Sequence, residues 1–199
     1  MTASTATLVL AAGGSRRMGS APKLLEAVGG EPMIVHAAHA ALDASLGPVL
    51  VVTGDQSDAV VAALPSGTHV VQNPLWREGL STSLIAGIAA LPSGVDVVLI
   101  ALGDMPLVTA HHHRTVAAAW RPGHIVVPVH QGHPGHPVAL AATFLPELLL
   151  VEGDSGARRV VLDHPDAVIE LSIDDPGIVT DVDDPAALIR VQRQVSPKP

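Results

Sequence analysis

The sequence contains no cysteine. Disulfides, thiolate metal sites and cysteine nucleophiles are therefore excluded, and a reducing, cytoplasmic setting is the expectation. Aromatics are nearly as scarce: no tyrosine, one phenylalanine and two tryptophans make up 2% of 199 residues. Since 48% of the chain is still hydrophobic, Ala, Val and Leu must build the core. Eleven basic residues against 19 acidic ones leave a net charge of −8, and the two lysines are Lys23 and Lys198. A chain this acidic is a poor candidate for non-specific binding to nucleic acid or membranes, so neither is an expected partner. Residues 1–12 carry no Lys or Arg, so the apolar start lacks the basic flank of a signal peptide. The longest aliphatic runs, such as residues 95–102, are far too short for a membrane span and contain Asp96.

What is present is organised around residues 8–25, LVLAAGGSRRMGSAPKLL. An aliphatic run reads as a buried strand, breaks at Gly13-Gly14-Ser15, and turns basic at Arg16, Arg17 and Lys23. A strand that stops at small residues leaves backbone N–H groups free to point at an anion, and the following cations are placed to neutralise it. The reading is a phosphate-binding turn for a nucleoside triphosphate; the bland alternative is an ordinary strand-to-helix turn with a solvated basic helix. Neither Gly-Lys-Ser/Thr nor G-x-G-x-x-G occurs there, so the two standard glycine codes do not apply. A compact lysine ammonium beside that turn suits phosphate as a point charge.

Further along, strands are expected over 7–11, 48–53, 69–72, 95–102, 124–129 and 167–171. Helices are expected over 32–44, 55–64 with Asp55 as a cap, 81–91, 109–120, 144–151, 156–164 and 184–194. Aliphatic strands alternating with helices imply an α/β protein with a parallel or mostly parallel sheet. Ligands then sit beyond the carboxyl ends of the strands, where Gly13 and Asp104 both fall. The pattern changes after Val129: HQGHPGHPVAL is turn-rich and reads as a hairpin or excursion rather than another βα unit.

Three groups of residues bear on chemistry. Asp104 follows a buried strand in Leu102-Gly103-Asp104-Met105-Pro106, where a carboxylate near a triphosphate can hold Mg²⁺; its plain alternative is a Gly-Asp turn. In Thr180-Asp181-Val182-Asp183-Asp184-Pro185, Asp181 and Asp183 share a face if extended. Asp181 is taken as the metal carboxylate, with Asp183 or Asp184 as a helix cap, and Asp183 remains open as the second ligand. Consecutive His111, His112 and His113 cannot all face one ion and read as a solvated helix start. His130, His133 and His136 lie in a Gly/Pro loop that more plausibly touches substrate than holds zinc. Ser81 and Ser83 read as helix-capping or ligand-binding hydroxyls.

The stretch LAAGGSRRMGSAPKLL resembles the signature L-A-A-G-x-S-x-R-M-G-x-x-K of the nucleotidyltransferases of molybdenum cofactor biosynthesis, the MobA-like family. NPLWREGLSTSL, LGDMP, GHPGHPV, GDSGAR and DVDDP follow in the family's order, so the resemblance runs from about residue 8 to about 188. The cytidylyl branch is the better likeness. The guanylyl branch reads L-A-G-G and G-G-x-D-K where this chain has Leu10-Ala11-Ala12-Gly13 and Ala21-Pro22-Lys23. One departure is Asp184, where the family more often has Thr.

The resemblance implies a three-layer Rossmann-like fold and a single nucleotidyltransferase domain over 1–199, ordered over about 7–190 between short flexible tails. It implies transfer of CMP from CTP to the phosphate of molybdenum-molybdopterin with Mg²⁺, or Mn²⁺ in its place. Leu10, Ala11, Ala12, Gly13, Gly14, Ser15, Met18 and Gly19 are then nucleotide-binding, with Arg17 and Lys23 as catalytic cations on the phosphates. Asn73 and Ser83 line the nucleotide site, and Asp104 and Asp181 match the metal carboxylates, Asp104 being catalytic as well. Gly135, His136, Pro137, Gly153, Asp154, Gly156 and Arg158 match the pterin side. A molybdoenzyme of the xanthine dehydrogenase type, or its chaperone, is the implied recipient. The alternatives are a related transferase using GTP or a sugar or alcohol phosphate, and a non-catalytic nucleotide-binding maturation factor. A dinucleotide-binding oxidoreductase is disfavoured by the missing glycine fingerprint.

Overall fold

The aliphatic runs form strands because β-branched and leucine side chains can fill both faces of a covered sheet. The computed structural model describes residues 3–13, 23–54 and 57–195. Its strands are β1 (Thr5–Ala11), β2 (Ala27–Val28), β3 (Glu31–Pro32), β4 (Val49–Thr53), β5 (Thr68–Gln72), β6 (Val97–Leu102), β7 (Ile125–His130), β8 (His133–Pro134), β9 (Val138–Ala141) and β10 (Val168–Ser172). Its helices are α1 (Met33–Ala44), α2 (Ser57–Ala63), α3 (Leu80–Ala89), α4 (Ala110–Ala119), α5 (Leu145–Leu148), α6 (Arg158–Asp163) and α7 (Pro185–Gln194). All seven helices expected from the sequence fall on these. The two-residue strands β2 and β3 were not expected and pair only with each other. The cap expected at Asp55 lies outside the described residues.

The main sheet runs β10-β7-β9-β6-β1-β4-β5, with β8 on β7. β1 is parallel to β4 and β6, β4 to β5, and β7 to β10. β9 runs antiparallel between β6 and β7. The excursion after Val129 is thus a β7–β8 hairpin, turned at Gln131 and Gly132, both at positive φ, followed by this reversed strand.

Successive strand residues point to opposite faces and so feed two layers. Leu8, Leu10, Leu50, Val52 and Ile100 pack with Leu84 and Ile88 of α3, Leu148 of α5 and Val160 of α6. On the other face Val9, Ala11, Val49, Val51 and Ala101 pack with Ile34, Ala37 and Ala41 of α1 and Val60 of α2. Val116 of α4 packs beside them, on Val97, Leu99 and Val126. Helices therefore cover both faces of a mostly parallel sheet, giving the three layers. Asp184 caps α7, its Oδ1 accepting from Ala187 N–H at 2.7 Å, with Pro185 in the first turn. Among the described residues no helix is long and apolar enough to cross a membrane.

Candidate active site

β1 and β6 are neighbours, so their carboxyl ends open onto one edge. Gly103 N–H donates to Leu10 O at 2.9 Å and ties the two ends together. Leu10, Ala11 and Ala12 are buried at this end, and Gly13 emerges into solvent. Gly14, Ser15, Arg16, Arg17, Met18 and Gly19 lie outside the described residues. Where the chain resumes, Lys23 donates from Nζ to Asp104 Oδ2 and to Asp183 Oδ1, each at 2.8 Å. The two segments on which the sequence reading depended thus meet at a direct bond.

Two carboxylates hold this ammonium, and a third, Asp181, lies within electrostatic reach of both. Val182 N–H donates to the Asp104 carbonyl at 3.0 Å, bringing the 181–183 segment alongside the end of β6. Burial, then the charges of Asp183 and Asp104, pushes the Asp181 carboxyl up from its ordinary range. Burial lowers the Lys23 pKa, but Asp104 and Asp183 outweigh it and the net shift is upward. Asp104 Oδ1 is buried and has no hydrogen-bond partner among the described residues. No three His, Asp or Glu side chains among those residues converge as a ready-made metal cage. Asp183, which the sequence offered as a cap or a metal ligand, bonds Lys23, and the cap is Asp184.

The GHP loop reaches the same edge because β9 is reversed and begins where β6 ends. His136 N–H donates to Ile178 O at 2.8 Å, and its Nδ1 lies 3.1 Å from Ile100 O on β6. Burial lowers the His136 pKa, against the opposing pull of the Ile100 carbonyl and the Asp104 charge. Gly135 is required by close approach: a Cβ there would stand 2.2 Å from Ile178 O. Pro137 is buried beside it.

Asn73 and Ser83 meet on the other side of β1. Asn73 Nδ2 donates to Thr82 Oγ1 and Ser83 Oγ, both at 2.9 Å, and its Oδ1 accepts from Leu75 N–H at 2.9 Å. Both amide protons are thus used inside the protein. Neither serine caps α3, whose N-cap is Gly79. The helix start is satisfied from a distance, with Ser81 N–H donating to Gly153 O at 3.0 Å and Leu80 N–H to Asp154 Oδ1 at 3.2 Å. Gly153 and Asp154 therefore pack on α3. Gly156 is buried there, and Arg158 opens α6 exposed to solvent.

The solvated helix start expected at His111–His113 is wrong for two of the three. His111 is exposed, but His112 and His113 are 3% and 1% exposed. His113 has no partner at either ring nitrogen among the described residues, and burial lowers its pKa to about 4. The link from His112 to Asp175, 3.2 Å from Nε2 to Oδ2, had no signal in the motifs. The three spaced histidines do not converge either: His130 Nδ1 lies 3.0 Å from Ile173 O, and His133 is exposed.

A mostly parallel α/β sheet with an ammonium–carboxylate group past the ends of β1 and β6 is the arrangement of a Rossmann-like nucleotidyltransferase. Residues 7–168 match the MobA-like NTP transferase domain, and the chain belongs to that family. The chain is 42% identical over 106 residues to the bifunctional protein GlmU of Sinorhizobium fredii, covering 52% of this chain and only 23% of that relative. It thus spans about a quarter of the GlmU proteins it matches. Over nearly full length, 88% of this chain and 90% of the relative, it is 30% identical to nicotine blue oxidoreductase of Paenarthrobacter nicotinovorans. Among solved structures, Rv0371c of Mycobacterium tuberculosis superposes with a TM-score of 0.87 at 27% identity, covering 97% of this chain and all of that one. The same protein has been solved in complex with manganese, and that structure superposes at 0.79.

Proposed function

We propose that this chain is a cytidylyltransferase that moves CMP from CTP to the terminal phosphate of molybdenum-loaded molybdopterin and releases pyrophosphate. The observation that carries the reading is the Lys23–Asp104 bond, which fastens the end of the glycine turn to the carboxylate after β6. The backbone of Ala11, Ala12 and Gly13 holds the triphosphate, and Lys23 and Arg17 are the cations assigned to its phosphates. Gly135, His136 and Pro137 face the second substrate, to which the resemblance also assigns Gly153, Asp154, Gly156 and Arg158 from their place by the start of α3.

The attacking group is a phosphate monoester, whose second pKa of about 6 leaves it ionised at neutral pH. It forms a new P–O bond at the α-phosphorus while the α–β anhydride bond breaks, and the electron pair leaves on pyrophosphate. No strong base is needed. What the protein must supply is position and positive charge. Lys23 is already held in place for this by two carboxylates.

The residues fit a divalent ion. Asp104 offers a buried oxygen with no hydrogen-bond partner among the described residues, and Asp181 resists ionisation because of burial first and its anionic neighbours second. All the donors are hard carboxylate oxygens, which suit Mg²⁺ or Mn²⁺. Asp104 and Asp181 would hold the ion, which neutralises phosphate charge and polarises the P–O bonds. Use of a divalent ion is also supported by the manganese complex of Rv0371c.

Product analysis tests the proposal. Purified protein is incubated with CTP, GTP or ATP, Mg²⁺ and molybdenum-loaded molybdopterin. A cytosine dinucleotide together with pyrophosphate is expected; a dinucleotide formed with GTP alone, or none with any nucleotide, would reject it. A second reading rests on the full-length likeness to nicotine blue oxidoreductase. Substrate-dependent redox turnover with no pyrophosphate released would favour that reading instead.

A further inference from the structure

His112 belongs to none of the sequence motifs, yet it is one of the few buried polar side chains in the protein. Both of its ring nitrogens are engaged. Thr109 N–H lies 3.1 Å from Nδ1 and can only donate, so Nδ1 is the acceptor. The proton of the neutral ring is therefore on Nε2, which faces Asp175 Oδ2 at 3.2 Å. Burial keeps the ring neutral in spite of Asp175.

The two partners belong to the two segments that bring the acidic residues together. Thr109 closes the stretch that starts at Asp104, and its Oγ1 accepts from His112 N–H at 3.4 Å, completing a capping box at the start of α4. Asp175 opens the turn Pro176–Val179, and its Oδ1 accepts from Gly177 N–H at 2.7 Å. That turn runs directly into Thr180 and Asp181. It also lies flat on the first segment: a Cβ on Gly177 would stand 2.9 Å from the Leu107 carbonyl oxygen. Nearer the site, Val182 N–H holds the Asp104 carbonyl. The segments are thus joined at both ends, at the site by backbone and at the root by one imidazole.

We propose that His112 is a positioning residue that sets the separation of Asp104 from Asp181 and Asp183 through its paired bonds to Thr109 and Asp175. The proposal rests on the divalent-ion reading given above. A simple helix cap requires only the Nδ1 side of the ring. The Nε2 bond to Asp175 is what couples the two segments, and it can be removed separately.

The test uses the whole protein and Mn²⁺ alone as probe, with free Mn²⁺ counted by electron paramagnetic resonance and folding followed by melting temperature. His112→Asn keeps an oxygen for Thr109 N–H but is too short to reach Asp175. Its melting temperature is expected to stay within a few degrees of wild type while Mn²⁺ binds about ten-fold more weakly. Asp175→Asn keeps an oxygen for Gly177 N–H and should weaken Mn²⁺ binding as much. The double variant should bind no more weakly than either single one, because both remove the same bond. A folded His112→Asn protein with wild-type Mn²⁺ affinity overturns the proposal; if that variant does not fold, Asp175→Asn decides by the same criterion. Asp104→Ala separates the two levels. Mn²⁺ binding that survives Asp104→Ala removes the divalent-ion reading and this proposal with it. Binding that depends on Asp104 but ignores His112→Asn removes the proposal alone.

Discussion

At Lys23 a single ammonium bonds two carboxylates that lie 81 and 160 residues further along the chain. Removing either half of the Lys23–Asp104 pair leaves the other uncompensated at the place where the proposed reaction brings two anions together. Lys23→Ala and Asp104→Ala are each expected to lower turnover by roughly a hundredfold or more while circular dichroism stays native, as read by pyrophosphate release. Lys23 could be picked out in the sequence because lysine is so rare in this chain. Asp183 could not be assigned, because a D-V-D-D-P string fits a cap, a metal ligand or an ion pair equally well. His113 was misread because three adjacent histidines look polar, although His113, Val116, Ala117 and Trp120 fall at the spacing of a buried helical stripe. Its pKa is about 4 when folded, against 6.5 for the ordinary group. Between those values the unfolded chain binds the extra proton, so stability falls as pH drops from about 6.5 to about 4, by roughly 3 kcal/mol from this residue. His113→Leu should flatten that loss in urea unfolding at pH 7 and pH 5. Because neither ring nitrogen has a partner among the described residues, it should also raise stability at pH 7 by about 1 kcal/mol or more.

Among the elements, the strands that build the site were the easiest to foresee. β1, β4 and β6 are unbroken aliphatic runs, and burial on both faces leaves little else for such residues to form. Helix starts were harder. α3 draws its first bonds from Gly153 and Asp154, more than 70 residues away, which no local capping rule can anticipate. β2 and β3 are two residues each, too short to show any alternation. Asn73 shows how such a junction is held, since its amide joins the end of β5 to α3 by two bonds and closes on Leu75 N–H by a third. Asn73→Ala would leave the buried Ser83 hydroxyl and the Leu75 N–H without that partner. It should cost about 2 kcal/mol in urea unfolding.

For the molecule as a whole, the class of fold followed from the alternation of strands and helices, but the strand order did not. Pairing β10 with β7 and inserting β9 between β6 and β7 are long-range choices, made by side chains far apart in the sequence. The order carries a prediction about where the structure loosens first. Val9 and Ile100 lie in strands with a neighbour on each side, whereas β5 and β10 are the sheet's edges and Val70 is 42% exposed. In native-state hydrogen exchange, β1 and β6 amides should exchange only by global unfolding, and β5 amides much sooner.

The reversed strand has an evolutionary consequence. Because β9 starts at the edge where β6 ends and runs back from it, the hairpin before it is a cassette spliced between two strands that are already anchored. The exposed residues 131–134 can be lengthened, shortened or exchanged with those of a relative, while Gly135 and His136 stay fixed against Ile178 and Ile100 and the half of the cleft around β1 keeps its framework. One scaffold for activating a nucleotide can in this way be refitted to different second substrates by rewriting a single short loop.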